Sequence, residues 1–267
     1  MPSLQTFTDI YRYRFVLANL VGKDLKAMYR NMALGFLWSL LNPLVLVVVL
    51  SLVWTIFMGA GRDFPSLVLV ALIPWNFFSY CLTGCSGAIR NNVSLIKKVS
   101  FPRQILPVSI ILTHLVHFAI QSLLIVLVLV LFPPPGKVLG LQLLWLPVLV
   151  ALEIGLVVGS GLLVAGLNVL YRDVQYITDS LLTILFWASP VLWSAGPESG
   201  LADWGWLRYA YFLNPLAGIL EGFRDVLYFG RPPAGGPLLA ALAVTLCIGY
   251  LGVRSFWRHE REFADLI

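Results

Sequence analysis

Few residues in this 267-residue chain are of types that do chemistry, and they are scattered. His114 and His117 stand three apart, a spacing that puts both on one helix face, where they could hold a metal ion or exchange protons. The plainer reading is two polar side chains bonded to neighbouring helices, since no further ligands accompany them. Glu153 lies inside a long apolar run, where a carboxylate is costly and must face protein or a water-filled path. It could serve transport, or simply be held by hydrogen bonds. Cys81 and Cys85 share one apolar run and Cys247 lies in another, so they read as small packing residues and not as a disulfide framework. A phosphate-binding loop is missing. Gly22-Lys23 and Gly136-Lys137 lack the upstream Gly and following Ser or Thr of such a loop. HExxH, GxSxG and acidic metal clusters are absent from the sequence as well. Bond chemistry and a resident cofactor or metal are therefore not expected of this chain.

The elements that hold these residues are membrane spans. Apolar residues make up 59% and charged residues 12%, against about 25% charged in an ordinary soluble chain. The net charge of +5 sits at span ends and not on one patch, which favours membrane anchoring over nucleic-acid binding. The start, MPSLQTFTDIYRYRF, lacks a basic-then-apolar pattern, so no cleavable signal is expected. Phe64 to Ile89 and Gln104 to Gly136 carry no Asp, Glu, Lys or Arg. Each exceeds the roughly 20 residues needed to cross a bilayer. Between them Arg90, Lys97, Lys98 and Arg103 stand with no balancing acid, as expected of a cytoplasmic loop.

Residues 11–30 alternate apolar and basic positions at helical spacing, the pattern of a helix lying in the inner membrane surface. Spans are then expected from about Leu34 to Gly61, with Pro43 kinking the helix, and from Pro65 to Gly87, with Pro74-Trp75-Asn76 interrupting it. Further spans are expected over Ile105–Phe132, Leu141–Leu167, Ile177–Ser194 and Pro237–Phe256. Pro133 to Gly136 is a stiff turn. Leu216 to Phe229 is too short and too charged to span, and reads as re-entrant or interfacial. The expected fold is thus an all-α polytopic membrane protein with six transmembrane helices, an amphipathic N-terminal helix and re-entrant outer helices between spans five and six. It forms one transmembrane domain over 1–267: an interfacial segment 1–33, spans within 34–256 and a tail 257–267. With the basic loop inside, the inner segments hold 13 of the 18 Lys and Arg residues, in line with the positive-inside rule. Trp54 and Phe57 share a face of the first span, and Phe186 and Trp193 a face of the fifth; such aromatics can form interfacial belts or a sliding surface for sugar rings.

Five segments in order resemble the transmembrane subunit of polysaccharide ABC exporters, which move O-antigen, capsule or teichoic-acid chains. They are YRNMALGFLWSLLNPL at 29–44, LIKKVSFPRQILP at 95–107, NVLYRDVQY at 168–176, LNPLAGILEGFRDVL at 213–227 and EREFADLI at 260–267. The resemblance implies a homodimer in the bacterial inner membrane, both termini cytoplasmic. Two copies of a separate ABC subunit would bind ATP and magnesium, and the conduit would carry a lipid-linked polysaccharide. It also implies a coupling helix near Lys97, Lys98, Phe101, Pro102 and Arg103, with Phe101 seated in the partner and a second inner contact at Tyr171, Arg172 and Asp173. A local Arg172–Asp173 cap is the alternative for the latter. Spans one and five would line the conduit, making Trp38, Trp54, Phe57, Phe186 and Trp193 its candidate lining. Asn214, Pro215, Glu221 and Arg224 would form an outer gate, with Glu221 and Arg224 able to pair. Glu153 has no counterpart in the family pattern. Other readings are a type-2 ABC exporter of drugs or lipids, a membrane enzyme acting on lipid-linked sugars, and a proton-coupled carrier resting on Glu153 alone.

Overall fold

The computed structural model describes residues 12–30, 35, 37–59, 61–134, 140–196, 199, 205–260 and 263. The expected turn at Pro135-Gly136, part of the motif at 29–44 and most of the 257–267 tail lie outside these residues. The described chain is helical throughout, in the order α1 Arg14–Tyr29, α2 Leu37–Met58, α3 Phe64–Gly87, α4 Val93–Lys98 and α5 Ile105–Leu131. There follow α6 Leu146–Leu170, α7 Val174–Ala188, α8 Trp206–Tyr211, α9 Pro215–Leu227 and α10 Gly235–His259. Among the described residues, α2, α3, α5, α6 with its leading turn, and α10 are long and apolar enough to cross a membrane.

α3 is the centre of the bundle. Residues from Val68 to Ile73 are buried on every face, packed by α5, α6, α7 and α9. The helix passes through Pro74 without interruption, contrary to the expected break. A proline costs one backbone hydrogen bond, and packing on all sides outweighs that loss here. In lipid, helices associate through close packing and polar links and not by exclusion from water. The tightest contact is between α6 and α10, where Gly159 meets Gly249 and Gly252; a Cβ on Gly159 would stand 2.6 Å from the Gly249 Cα. Two helices stand apart from this block. In α2 the buried described residues are Ser39, Pro43 and Val47, a single stripe four residues apart, and in α7 they are Thr178 and Leu182.

α7 departs most from expectation. It has 15 residues, short of the roughly 20 that cross a bilayer, and it stops at Ala188 where Ser194 was expected. Ser189 is extended (φ −102°, ψ 153°) because the residue before a proline is pushed out of the α region.

Candidate functional site

At the end of the bundle that carries the basic loop, α4 ends with Lys97 and Lys98, both exposed. Basic residues there complement the partial negative charge of the helix terminus. The expected helix at Lys97–Arg103 lies further back, over Val93–Lys98. Val99 is extended (φ −131°, ψ 130°), and Phe101 precedes a proline, which disfavours helix at that point. The projecting tip is therefore Lys97 to Ser100. Phe101 is half-buried and packs against the cluster of Leu17, Leu20, Ala88, Ile105 and Leu106, between α1 and the root of α5. Arg103 is also turned inward: its backbone N–H donates to Glu260 Oε1 at 3.0 Å and its guanidinium to the Glu260 carbonyl. Pro102 lies between them, half-buried. Tyr171, Arg172 and Asp173 form an exposed turn at the same end of the bundle. Asp173 makes no side-chain cap of α7, and no ion pair joins it to Arg172 among the described residues.

The opposite end is built on α9. Asn214 starts this helix as its local chemistry dictates: its Oδ1 accepts from Leu216 N–H at 3.1 Å, and Pro215 takes the first turn. Its amide also donates to Ser189 Oγ at 2.9 Å, which reaches the end of α7. Arg224 is completely buried. Its guanidinium donates to Leu67 O at 3.1 Å, Pro190 O at 2.5 Å, Val191 O at 2.6 Å and Glu221 Oε2 at 3.3 Å. Glu221 in turn accepts from Ser194 Oγ and from Ala195 N–H at 3.1 Å. One ion pair thus satisfies backbone groups of the non-helical segment that follows α7, the Pro190 and Val191 carbonyls and the Ala195 N–H. Such groups cost several kcal/mol if left bare at membrane depth, on the order given by apolar transfer. Asp225 extends the network to Arg231 at 2.7 Å and to Ala234 N–H at 3.2 Å, and Tyr228 hydrogen-bonds to Asp63.

The candidate lining aromatics do not share one surface. Trp38 lines a cavity of about 240 Å³ with Tyr29, Tyr80, His114 and His117. Trp54 stacks on Phe64 at 5.8 Å, Phe57 projects outward, and Trp193 packs on Tyr211. Phe186 meets Trp75 edge-on at 5.5 Å, and there a groove of about 340 Å³ opens between α3 and α7, lined also by Ser79, Thr83, Asp179 and Thr183. Trp75 lies about 18 Å from the α3 terminus at 1.5 Å rise per residue, so the groove reaches deep into the bundle. Sequence reasoning missed Asp179, although an acid inside a predicted span was there to be read.

The two histidines stay side by side, ring centroids 6.2 Å apart, and differ in their partners. His117 is stacked on Tyr29 at 5.4 Å and shares a hydrogen bond with its hydroxyl, tying α1 to α5. His114 Nδ1 and both Glu153 oxygens are buried without a hydrogen-bond partner among the described residues. No group of three or more possible metal ligands occurs among the described residues.

The architecture is matched by known proteins. The model of the ABC-2 type transporter family covers residues 16–228, most of the chain. The chain belongs to the ABC-2 type transporter family. It is 34% identical over 260 residues to the O-antigen export system permease protein RfbA of Myxococcus xanthus, covering 97% of this chain and 98% of that one. The protein of the same name from Klebsiella pneumoniae is 26% identical over 257 residues, 94% of this chain and 95% of its own. As an ABC-2 family member with long apolar helices, the chain is a multi-pass membrane protein.

Proposed function

We propose that this chain is the permease subunit of an ATP-driven exporter of a lipid-linked, O-antigen-like polysaccharide. Two copies form the conduit in the bacterial inner membrane, lined by α2 and α7, each of which buries only a narrow stripe in its own bundle. The segment after Ala188 completes a sixth crossing, so both termini lie in the cytoplasm, on the side the basic loop favours. Two copies of an ATP-binding subunit hydrolyse ATP with magnesium and press on the tip Lys97 to Ser100 and on Tyr171 to Asp173. α8 and α9 fold back from the outer surface as the gate. The substrate class follows the names of the relatives, and the ATPase follows the family.

The observation that carries the conduit is the groove between α3 and α7. A carboxylate inside the membrane must face water or a polar partner, and Asp179 does so beside Ser79, Thr83 and Thr183. Hydroxyls and a carboxylate can exchange hydrogen bonds with sugar hydroxyls, while Trp75 and Phe186 offer apolar faces to sugar C–H groups. Filling the groove by Thr183→Trp should abolish surface polysaccharide while the ATPase still co-purifies. Normal surface polysaccharide in that variant would overturn this reading of the conduit. Asp179→Asn, which keeps size and hydrogen bonding, should reduce export far less.

A further inference from the structure

The terminal motif EREFADLI contributes to the family resemblance without an assigned function, and the structure places two of its residues, Glu260 and Phe263, at decisive points. Glu260 closes α10: its N–H still bonds back to Phe256 O at 2.9 Å, while its own carbonyl is one of those a helix end leaves without an intrahelical donor. Arg103, on the loop between α4 and α5, supplies that donor through its guanidinium. A cation is suited to this place, because the C-terminal end of a helix carries partial negative charge. The contact is reciprocal, since Glu260 Oε1 accepts the Arg103 backbone N–H at 3.0 Å. Phe263 adds a second contact. It is fully buried, sets its ring against Phe256 at 5.4 Å, and joins a cluster with Ile89, Leu162 and Ala165.

We propose that Glu260 and Phe263 form a clamp that ties the basic loop to α6 and α10, making Arg103 and Glu260 positioning residues for energy coupling. The loop is continuous with α3 through Asn92 and with α5 through Ile105. The clamp adds α10 through Arg103, and α6 follows through its glycine contact with α10. A displacement of the loop then moves α3, α5, α6 and α10 as one block against α2 and α7, a rigid-body motion and not a local bend. Without the clamp the same push would reach α6 and α10 only through side-by-side packing, chiefly of α3 on α6.

This inference rests on the loop being the element that faces the ATPase, and its test separates the two. The full chain with its co-expressed ATPase is prepared as wild type, Arg103→Ala, Glu260→Ala, Glu260→Gln and the double alanine variant. Export and ATP hydrolysis are measured per assembled complex. Both alanine variants should keep the ATPase bound and hydrolysing, while polymer moved per ATP falls by roughly tenfold, within the usual range of coupling between sites. Glu260→Gln retains an acceptor oxygen for the Arg103 N–H and should export nearly as wild type. The double variant should be worse than either single one, because Arg103→Ala removes the guanidinium bond to the Glu260 carbonyl and Glu260→Ala removes the carboxylate bond to the Arg103 N–H. Wild-type export per ATP in Glu260→Ala, or loss of the ATPase from its complex, would overturn the clamp. Failure of the wild-type chain to hold any ATPase would instead remove the reading beneath it.

Discussion

Arg224 and Arg103 both donate to backbone carbonyls, at opposite ends of the bundle: Arg224 to Leu67 in α3 and to Pro190 and Val191 beyond α7, Arg103 to Glu260 at the end of α10. They do it in different surroundings. Arg224 is wholly enclosed, engages three carbonyls and a carboxylate, and holds together α3, α9 and the broken end of α7. Arg103 is half-exposed and engages one residue of one helix. A buried ion pair whose every group is bonded is expensive to break on one side, whereas a partly solvated contact can be made and broken at small cost. The difference teaches which end is fixed and which can move. The far end is a built joint; the basic end is a linkage.

The comparison is broken most severely at Arg224. Arg224→Ala leaves Glu221 as an unpaired buried charge and strips the donors from Pro190 and Val191. A loss of ~3–5 kcal/mol is expected for such a disruption, a large fraction of a typical stability of about 5–15 kcal/mol. Thermal unfolding of the purified protein in detergent should show a large drop in midpoint, or the variant should fail to accumulate. An unchanged midpoint would mean that water or lipid replaces the guanidinium. Asn214→Ala probes the same end more gently. It removes the helix cap and the bond to Ser189, and should cost about 1 kcal/mol, read as a modest fall in the same midpoint. Arg103→Ala should be smallest, within about 1 kcal/mol, despite its large effect on coupling. If it destabilises as much as Arg224→Ala, the contrast between joint and linkage is wrong.

Much of this organisation was legible because its causes are local. α3, α5, α6 and α10 follow from charge-free runs long enough to span, and α9 starts at Asn214-Pro215 because capping chemistry needs only adjacent residues. The early stop of α7 was written in Ser189-Pro190, but the apolar residues Val191 to Trp193 masked it by prolonging the hydrophobic run. The pairing of Arg224 with Glu221, three residues away, was legible, but the partner of Arg103 and the carbonyl partners of Arg224 were not. Glu260 lies 157 residues from Arg103, as Leu67 does from Arg224, and no spacing rule links them. The packing of Phe101 against α1 and the root of α5 was not legible for a related reason, since those elements are distant in sequence. Glu153 drew notice as the charge deepest in an apolar run, while Asp179, nearer a helix end, is the acid that faces the groove.

The central claim is that this chain conducts a polymer only when a separate ATPase drives it. The most direct test is reconstitution of the chain with its ATPase into liposomes, following ATP-dependent protection of a lipid-linked polysaccharide from an added glycosidase. Transfer is expected only with the ATPase and hydrolysable ATP both present, and none from the chain alone. Transfer by the chain alone, or transfer indifferent to ATP, would contradict it.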